Sequence, residues 1–383
     1  MKYSFDEIAK KDLFEKGFDE STKIKLLLFR KYIESWIPTF IHSSPFEKIL
    51  IYDFFAGEGQ DVYGEKGSPL IIMDCLKQYC EDIRNKNKKI FITLNDYDKK
   101  KAEKLLALTQ AFKEKCGACN HCSLEVKNDA FQNLFSAEYQ VIKQDTPTFL
   151  LIDQYGVSQV TESVFRQLVD APRTDFLFFI SSATIRRFKD NEGINKKIKV
   201  SQIQFEESKP YECHEKVYNY YKTLINGDYY LGRFSIKKVT NYYGLIFGSH
   251  HPLGLEKFLS ASWSIDVNNG EANHEIDETK QYEGSFMNLF DEVSGISTFK
   301  TKLESYEEHL LDYFSVPRTN QEIYKFSLES GISISKTVDI LRKLEKERRI
   351  CVEGGDKRKS GAFYLSHNSD KIIKVAKNEN NKN

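Results

Sequence analysis

Short apolar runs separated by amphipathic stretches organise the middle of the chain. Five stand between residues 49 and 180: Ile49-Leu-Ile-Tyr-Asp, Ile90-Phe-Ile-Thr-Leu, Leu124-Glu-Val, Phe149-Leu-Leu-Ile-Asp and Phe176-Leu-Phe-Phe-Ile. Nearly continuous apolarity suits strands buried on both faces, and parallel strands of that kind need crossover helices between them. Apolar residues at helical spacing over 70–84, 99–115 and 160–168 supply such helices. The alternation predicts a doubly wound, Rossmann-like α/β sheet. A helix or helix pair is expected ahead of it over 14–42, where Ile24, Leu27, Leu28, Tyr32, Ile33, Trp36 and Ile37 recur at helical intervals. Behind it the pattern predicts a helix over 215–224 and two strands, 230–236 and 242–249, joined by a short turn containing Lys-Lys-Val-Thr.

The pattern changes after residue 266. Residues 267–284 are polar and acidic with little periodicity, and read as an exposed loop or linker. Three helices follow over 305–314, 320–328 and 335–348, with Gly331 ending the second and leaving the tight turn of a helix-turn-helix. Two short runs, Ile350-Cys-Val-Glu and Ala362-Phe-Tyr-Leu, flank Gly354-Gly-Asp-Lys-Arg-Lys-Ser-Gly as the strands of a wing. The expected organisation is an N-terminal helical segment (1–44), an α/β domain (45–266), a linker or helical connection (267–300), a winged helix-turn-helix (301–368) and a disordered tail (369–383).

Composition narrows the partners. Lys plus Arg equals Asp plus Glu at 56 each, so any attraction to nucleic acid has to come from a local patch and not from bulk charge. No run of about 18 apolar residues occurs and the first residues lack an export signal, so no membrane is expected and a cytoplasmic location is. The 7 cysteines then read as reduced thiols.

Candidate chemistry sits where the predicted strands end. The first run passes into Asp53-Phe-Phe-Ala-Gly-Glu-Gly. Gly57 and Gly59 let the backbone approach a ligand closely, and Asp53 is placed to accept from a cationic amino group. A dinucleotide fingerprint starting at Gly57 needs a third glycine where Val62 stands, so an adenosyl ligand without pyrophosphate fits better. The second run offers Asp96 or Asp98 to a ribose diol, and the third offers Asn128 or Asp129 to an adenine amino group beside Phe131. Each acid taken singly is equally a helix cap or turn residue; three in register behind Gly-x-Gly favour a nucleoside-containing ligand.

The fourth run ends Leu151-Ile-Asp-Gln-Tyr-Gly, at the carboxyl end of a central strand, where open α/β sheets place chemistry. It resembles the Asp/Asn-Pro-Pro-Tyr of adenine- and amine-directed methyltransferases. Asp153, Gln154 and Tyr155 keep an acceptor, an amide and a ring, without the prolines. Methyl transfer from a sulfonium needs in-line positioning and an acceptor for the amine proton, which Asp153 can be. Asp153 as a cap of the following helix is the open alternative.

With these residues in hand, the chain resembles the three-Cys-motif partner family, TcmP, over nearly its whole length. The likeness rests on the entry helix with Lys23, Leu27, Tyr32 and Trp36, and on Asp53-Phe-Phe-Ala-Gly-Glu-Gly, Gly67-Ser-Pro-Leu, Ile152-Asp-Gln-Tyr-Gly and Phe178-Phe-Ile-Ser-Ser. It continues through Tyr243-Gly-Leu-Ile-Phe-Gly-Ser-His-His-Pro-Leu-Gly-Leu-Glu-Lys and Trp263. The resemblance implies a class I methyltransferase sheet that holds S-adenosylmethionine through Asp53, Phe55, Gly57, Gly59, Asp96 and Asp129. It also implies a partner bearing three cysteines, of the radical-S-adenosylmethionine type, in a system acting on nucleic acid. Where family members often read Asp-Pro-Tyr-Gly and Ala-Gly-Pro-Gly, this chain has Gln154 and Glu58. The readings that remain are a transferase, a non-catalytic nucleic-acid-binding adaptor of that partner, and a transcription regulator.

Three further groups carry chemistry. Cys116, Cys119 and Cys122 have two overlapping C-x-x-C spacings, suited to zinc or an iron-sulfur cluster, or are free thiols of a loop. His250 and His251 follow the last predicted strand, either bordering the substrate mouth or in a surface turn before a helix. Arg342 and Lys346 on the third C-terminal helix and Arg349 just past it, with Lys357, Arg358 and Lys359 at the wing tip, form a surface able to meet the phosphates of DNA or RNA. A protein-docking winged helix is the alternative there.

Overall fold

A computed structural model describes residues 17–42, 45–116, 120–154, 156–205, 208–276, 300–353, 363–368 and 373–377. The chain divides into two compact units, Met1–Lys257 and Phe258–Asn383. The first opens with α1 (Glu20–His42) and then alternates: β1 (Lys48–Asp53), α2 (Ser68–Gln78), α3 (Cys80–Asn85), β2 (Lys89–Asn95), α4 (Lys99–Cys116), β3 (Cys122–Lys127), α5 (Phe131–Ile142) and β4 (Thr148–Ile152). It continues with α6 (Glu162–Asp170), β5 (Thr174–Ile180), α7 (Ser182–Arg187), α8 (Glu192–Asn195), α9 (Cys213–Thr223), β6 (Tyr230–Lys238) and β7 (Asn241–Ser249), and α10 (Pro252–Ile265) runs across the division.

The seven strands form one sheet in the order β3-β2-β1-β4-β5-β7-β6. Strands β1 to β5 are parallel, whereas β7 runs antiparallel to both β5 and β6. This is the doubly wound, Rossmann-like sheet that the strand succession predicts, extended at one side by the antiparallel β7. Its reversal point, where the chain order turns from β1 outward to β4, is where such sheets hold ligands.

Alternate strand residues face opposite layers. Leu50, Tyr52, Leu150, Ile152, Phe176 and Phe178 pack with residues of α5, α6 and α9, among them Phe135, Phe165 and Tyr221, in one apolar core. On the opposite face, α1 lays Phe29, Tyr32 and Trp36 against Phe149, and Tyr32 also against Phe247. Half-buried Asp175 at the start of β5 fixes that helix, accepting from Tyr32 Oη at 2.7 Å and Trp36 Nε1 at 2.9 Å.

The stretch expected as one helix over 70–84 is two, α2 and α3, broken at Tyr79. Helices α5, α7 and α8 had no counterpart among the sequence expectations, while α10 is the helix expected behind the histidine turn. Strands β6 and β7 meet at a two-residue turn, Val239-Thr240, in which exposed Val239 takes a left-handed φ of 56°.

The second unit holds α11 (Lys302–Tyr313), α12 (Asn320–Glu329) and α13 (Ile334–Lys346). Thr301 with Glu304 and Thr319 with Glu322 form capping boxes at the first two, each pair satisfying amides that a helix start leaves open. Tyr306 Oη lies 3.0 Å from both Ser327 Oγ and Thr337 Oγ1, so one buried hydroxyl network joins all three helices.

Two expectations need correction here, and one falls outside the described residues. Strand β8 (Ile350–Glu353) pairs with β9 (Lys374–Lys377), inside the segment expected to be a disordered tail, and not with the Phe363 to Leu365 run, which forms no strand. The expected wing tip with Lys357, Arg358 and Lys359 lies outside the described residues. Residues 267–276 are no loose linker. The Asp266 carboxylate accepts from the amides of Asn268, Asn269, Glu271 and Ala272, and Lys302 Nζ donates to the Asn269 carbonyl at 2.8 Å. One short acid collecting four amides folds a polar segment that hydropathy alone marks as open.

Candidate functional site

The carboxyl edge of β1 is stitched to both neighbouring strands. Beyond Asp53, the Phe54 amide donates to the Leu151 carbonyl of β4 at 3.0 Å and the Ala56 amide to the Asn95 carbonyl of β2 at 2.8 Å. The chain then turns through Gly57 and Gly59, at φ 62° and 87°. A side chain on Gly59 would be strained in that conformation, and its Cβ would come within 2.6 Å of Leu108 Cδ2.

Two buried acids hold this loop. Asp53 accepts from Ser68 Oγ at 2.6 Å and from the Phe55 amide at 3.2 Å. Asp96 accepts from the Gly57 amide at 3.0 Å and the Asp98 amide at 2.8 Å. Burial pushes the Asp53 carboxyl up to about 7; its Ser68 and Phe55 hydrogen bonds oppose the rise, and the Asp153 and Asp96 charges add to it. Burial raises Asp96 as well, against the pull of the Asp98 amide, the Lys101 charge and the Gly57 amide.

Asp98, the other ribose candidate, accepts from the Lys100 and Lys101 amides and so caps α4. Asp129 is exposed and accepts from the Ala130 amide and Asn133 Nδ2 at the start of α5. Asn128 donates to the carbonyls of Asp96 and Tyr97. The Phe55 ring stacks on Phe131, centroids 5.6 Å apart. Glu58, the departure from the family pattern, pairs with Lys104 at 2.7 Å. Thus Asp53, Phe55, Gly57, Gly59, Asp96 and Asp129 come together along one sheet edge.

The end of β4 holds a different arrangement. Asp153 forms an ion pair with Lys25 of α1, whose ammonium also lies 4.9 Å from the Phe179 ring centroid. Lys25, Leu26, Phe29, Ser68, Leu151, Asp153, Leu177, Phe179 and Leu245 line one cleft. Gln154 is buried, and its Oε1 accepts from the Gln159 and Val160 amides, so its carbonyl oxygen organises the following turn. Tyr155 lies outside the described residues.

Three residues of this edge escaped the sequence reading as site residues. Ser68 begins α2 with its hydroxyl on Asp53. Buried Asn95 ties β1 to β3, donating to the Phe54 and Asp129 carbonyls and accepting from the Asp129 amide. Lys25 had no signal beyond its place in an amphipathic helix.

The histidine loop is elsewhere. Because β7 is antiparallel to β5, Ser249 lies opposite the β4 carboxyl end, beside the start of β5, and His250 Nε2 meets the Val169 carbonyl at 2.6 Å. His250 and His251 therefore do not border the substrate mouth. No group of three or more His, Cys, Asp or Glu side chains is placed to hold a metal among the described residues. The side chains of Cys116 and Cys119 fall outside those residues, and Cys122 begins β3.

In the second unit, Arg342 pairs with Asp339 at 3.3 Å. Arg349 pairs with Glu307 at 2.6 Å and with Glu347 at 3.6 Å, and Lys343 joins Glu307 at 2.8 Å. Lys346 is exposed on the same helix.

No protein-family model and no curated protein matches the chain. Among solved structures, the O-methyltransferase TomG from Streptomyces achromogenes, involved in tomaymycin synthesis and solved in complex with SAM, is similar over 60% of this chain and 89% of its own, at 8% identity and a TM-score of 0.30. The DszA carbon methyltransferase is similar over 64% of this chain and 57% of its own, at 9% identity and a TM-score of 0.35. The fold assignment rests on the strand order and not on these distant likenesses.

The Asp153 and Asp96 charges both raise Asp53, so a positive ligand beside it would relieve that repulsion, whereas the Asp53–Gly59 loop carries no lysine or arginine to meet a pyrophosphate.

Proposed function

We propose that the first unit binds S-adenosylmethionine at the Asp53–Gly59 loop and that the chain is a methyltransferase-like protein acting on nucleic acid with a three-Cys-motif partner of the radical type. The observation that carries the cofactor reading is the left-handed Gly57/Gly59 turn at the sheet's reversal point, with the Gly57 amide held by Asp96. In this reading Asp53 faces the cationic end of the ligand, Asp96 and Asp129 its sugar and base side, and Phe55 with Phe131 supplies the apolar floor. The bound cofactor would supply an electrophilic methyl group. Asp153 would hold the acceptor amine and take its proton. Calorimetric titration with S-adenosylhomocysteine tests this: saturable binding by the full chain is expected, and no heat at millimolar ligand overturns it.

The second unit is proposed as a winged helix-turn-helix that meets phosphates through Arg342, Lys346 and Arg349, together with Lys357, Arg358 and Lys359. Glu307 competes for Arg349, so Glu307→Gln should tighten nucleic-acid binding and steepen its salt dependence.

A second reading has a specific observation in its favour. Lys25 occupies Asp153, and the Gln154 carbonyl oxygen serves the fold, which suits an adaptor that presents nucleic acid to its partner without methylating it. Asp153→Ala then leaves the joint activity with that partner intact, while reversing Lys357, Arg358 and Lys359 abolishes it. In the transferase reading, Asp153→Ala abolishes it.

A further inference from the structure

We propose that the corner made by Asp153, Phe179 and the end of β4 is a binding site for a primary alkylammonium group, held in this structure by Lys25 of the chain's own α1. The proposal goes beyond the transferase reading: it concerns binding of the ammonium at Asp153, and no methyl transfer to that protonated group, which has no lone pair, is implied.

A lysine on an amphipathic helix ordinarily leaves its ammonium in water, because stripping that hydration costs several kcal/mol unless a partner replaces it. Lys23, two residues away, is exposed. Lys25 is instead 13% exposed, with the Asp153 carboxylate bonded to its ammonium and the Phe179 ring 4.9 Å from it. The Phe179 ring is itself fixed by stacking on Tyr243, centroids 5.7 Å apart.

These are the three components that recognise an alkylammonium: a carboxylate for the charge, an aromatic face for the cation, and an apolar passage for the methylenes. Leu26, Phe29, Leu151, Leu177 and Leu245 line that passage. Asp153 stays 28% exposed, twice as open as the lysine it holds, so a second amine can reach the carboxylate from solvent. A nucleobase amine is neutral and flat, gains little from the ring as a cation site, and would need an amide to read its edge. The Gln154 Oε1 accepts from the Gln159 and Val160 amides, which leaves only the buried Nε2, unpartnered among the described residues, a donor with no acceptor beside it to complete a base edge. Lys25 is therefore a placeholder that an incoming alkylamine displaces.

The test uses n-butylammonium as the probe and 1-butanol as its neutral counterpart. Calorimetry on the full chain carrying Lys25→Ala should show saturable binding of butylammonium, at least tenfold tighter than to wild type. Butanol should not bind, and adding Asp153→Asn should remove the binding. If Lys25→Ala does not fold, hydrogen exchange on wild type decides. Butylammonium should speed exchange over residues 20–30 and butanol should not. Equal behaviour of the two probes, binding that survives Asp153→Asn, or no response in either format overturns the site. The same proteins are titrated with S-adenosylhomocysteine. Lost amine binding with that ligand still bound overturns this inference alone, whereas lost nucleoside binding with the amine still bound overturns the transferase reading and leaves the site standing.

Discussion

Asp53 must be ionised to hold a cation, and its surroundings resist ionisation. The group titrates near 7 in the folded chain, while an unfolded aspartate titrates near about 3.9. Between those values the folded chain keeps a proton that the unfolded chain has lost. Stability therefore falls as pH rises from about 4 to about 7 and levels off above that. Asp53→Asn removes this cost. Its gain over wild type should be on the order of 4 kcal/mol at pH 8 and shrink toward zero near pH 4, read by urea unfolding at both pH values. An equal effect at the two pH values would refute the assignment. A cationic ligand reverses the preference, so its affinity should drop as pH falls below 7. The acid at position 53 was legible as a strand-end residue; its burial was not, because that depends on Ser68 and on β4, far away in sequence.

At the scale of elements, two turns carry opposite lessons. Gly59 takes a conformation that excludes other residues and sits against Leu108, so Gly59→Ala should cost about 1–3 kcal/mol and weaken nucleoside binding, measured by thermal melting and calorimetry on the same sample. Val239 occupies the same region of backbone space with a β-branched side chain, solvent-exposed. Val239→Gly should therefore stabilise the β6–β7 hairpin by about 1 kcal/mol. A lower melting temperature would count against the assigned turn. Sequence pattern found the buried strands well, since β4 and β5 are apolar almost throughout. It lost α5, whose start was taken for ligand-binding residues, and it mistook the Asp266 turn for a linker because it weighs hydropathy and not the amides one carboxylate can gather.

For the whole molecule, the cysteines report on both units at once. Cys75, Cys80, Cys122, Cys213 and Cys351 lie outside any disulfide, and burial pushes the Cys75 and Cys213 thiols up to about 12. Of these five, exposed Cys351 should react fastest with a thiol reagent under native conditions. Cys75 and Cys213 should stay unlabelled until denaturant is added, as peptide mass mapping would resolve. Early labelling of either buried thiol would show that the first unit opens more readily than its packing implies. The absence of bulk charge, legible from composition, has a structural counterpart in the second unit, where Glu307 answers both Lys343 and Arg349. Where His250 lies was beyond the sequence, since it depends on the direction in which β7 enters the sheet.

The attachment of α1 has a mechanical meaning. Its middle is anchored by two neutral donors on half-buried Asp175, while Lys25, about 16 Å along the helix axis from Trp36, is tied by a charge pair at the cleft. Salt or a competing amine loosens the second tie far more readily than the first. The helix is thus a lever whose fulcrum is set in the core and whose free arm rests on the one carboxylate that an incoming amine would seek.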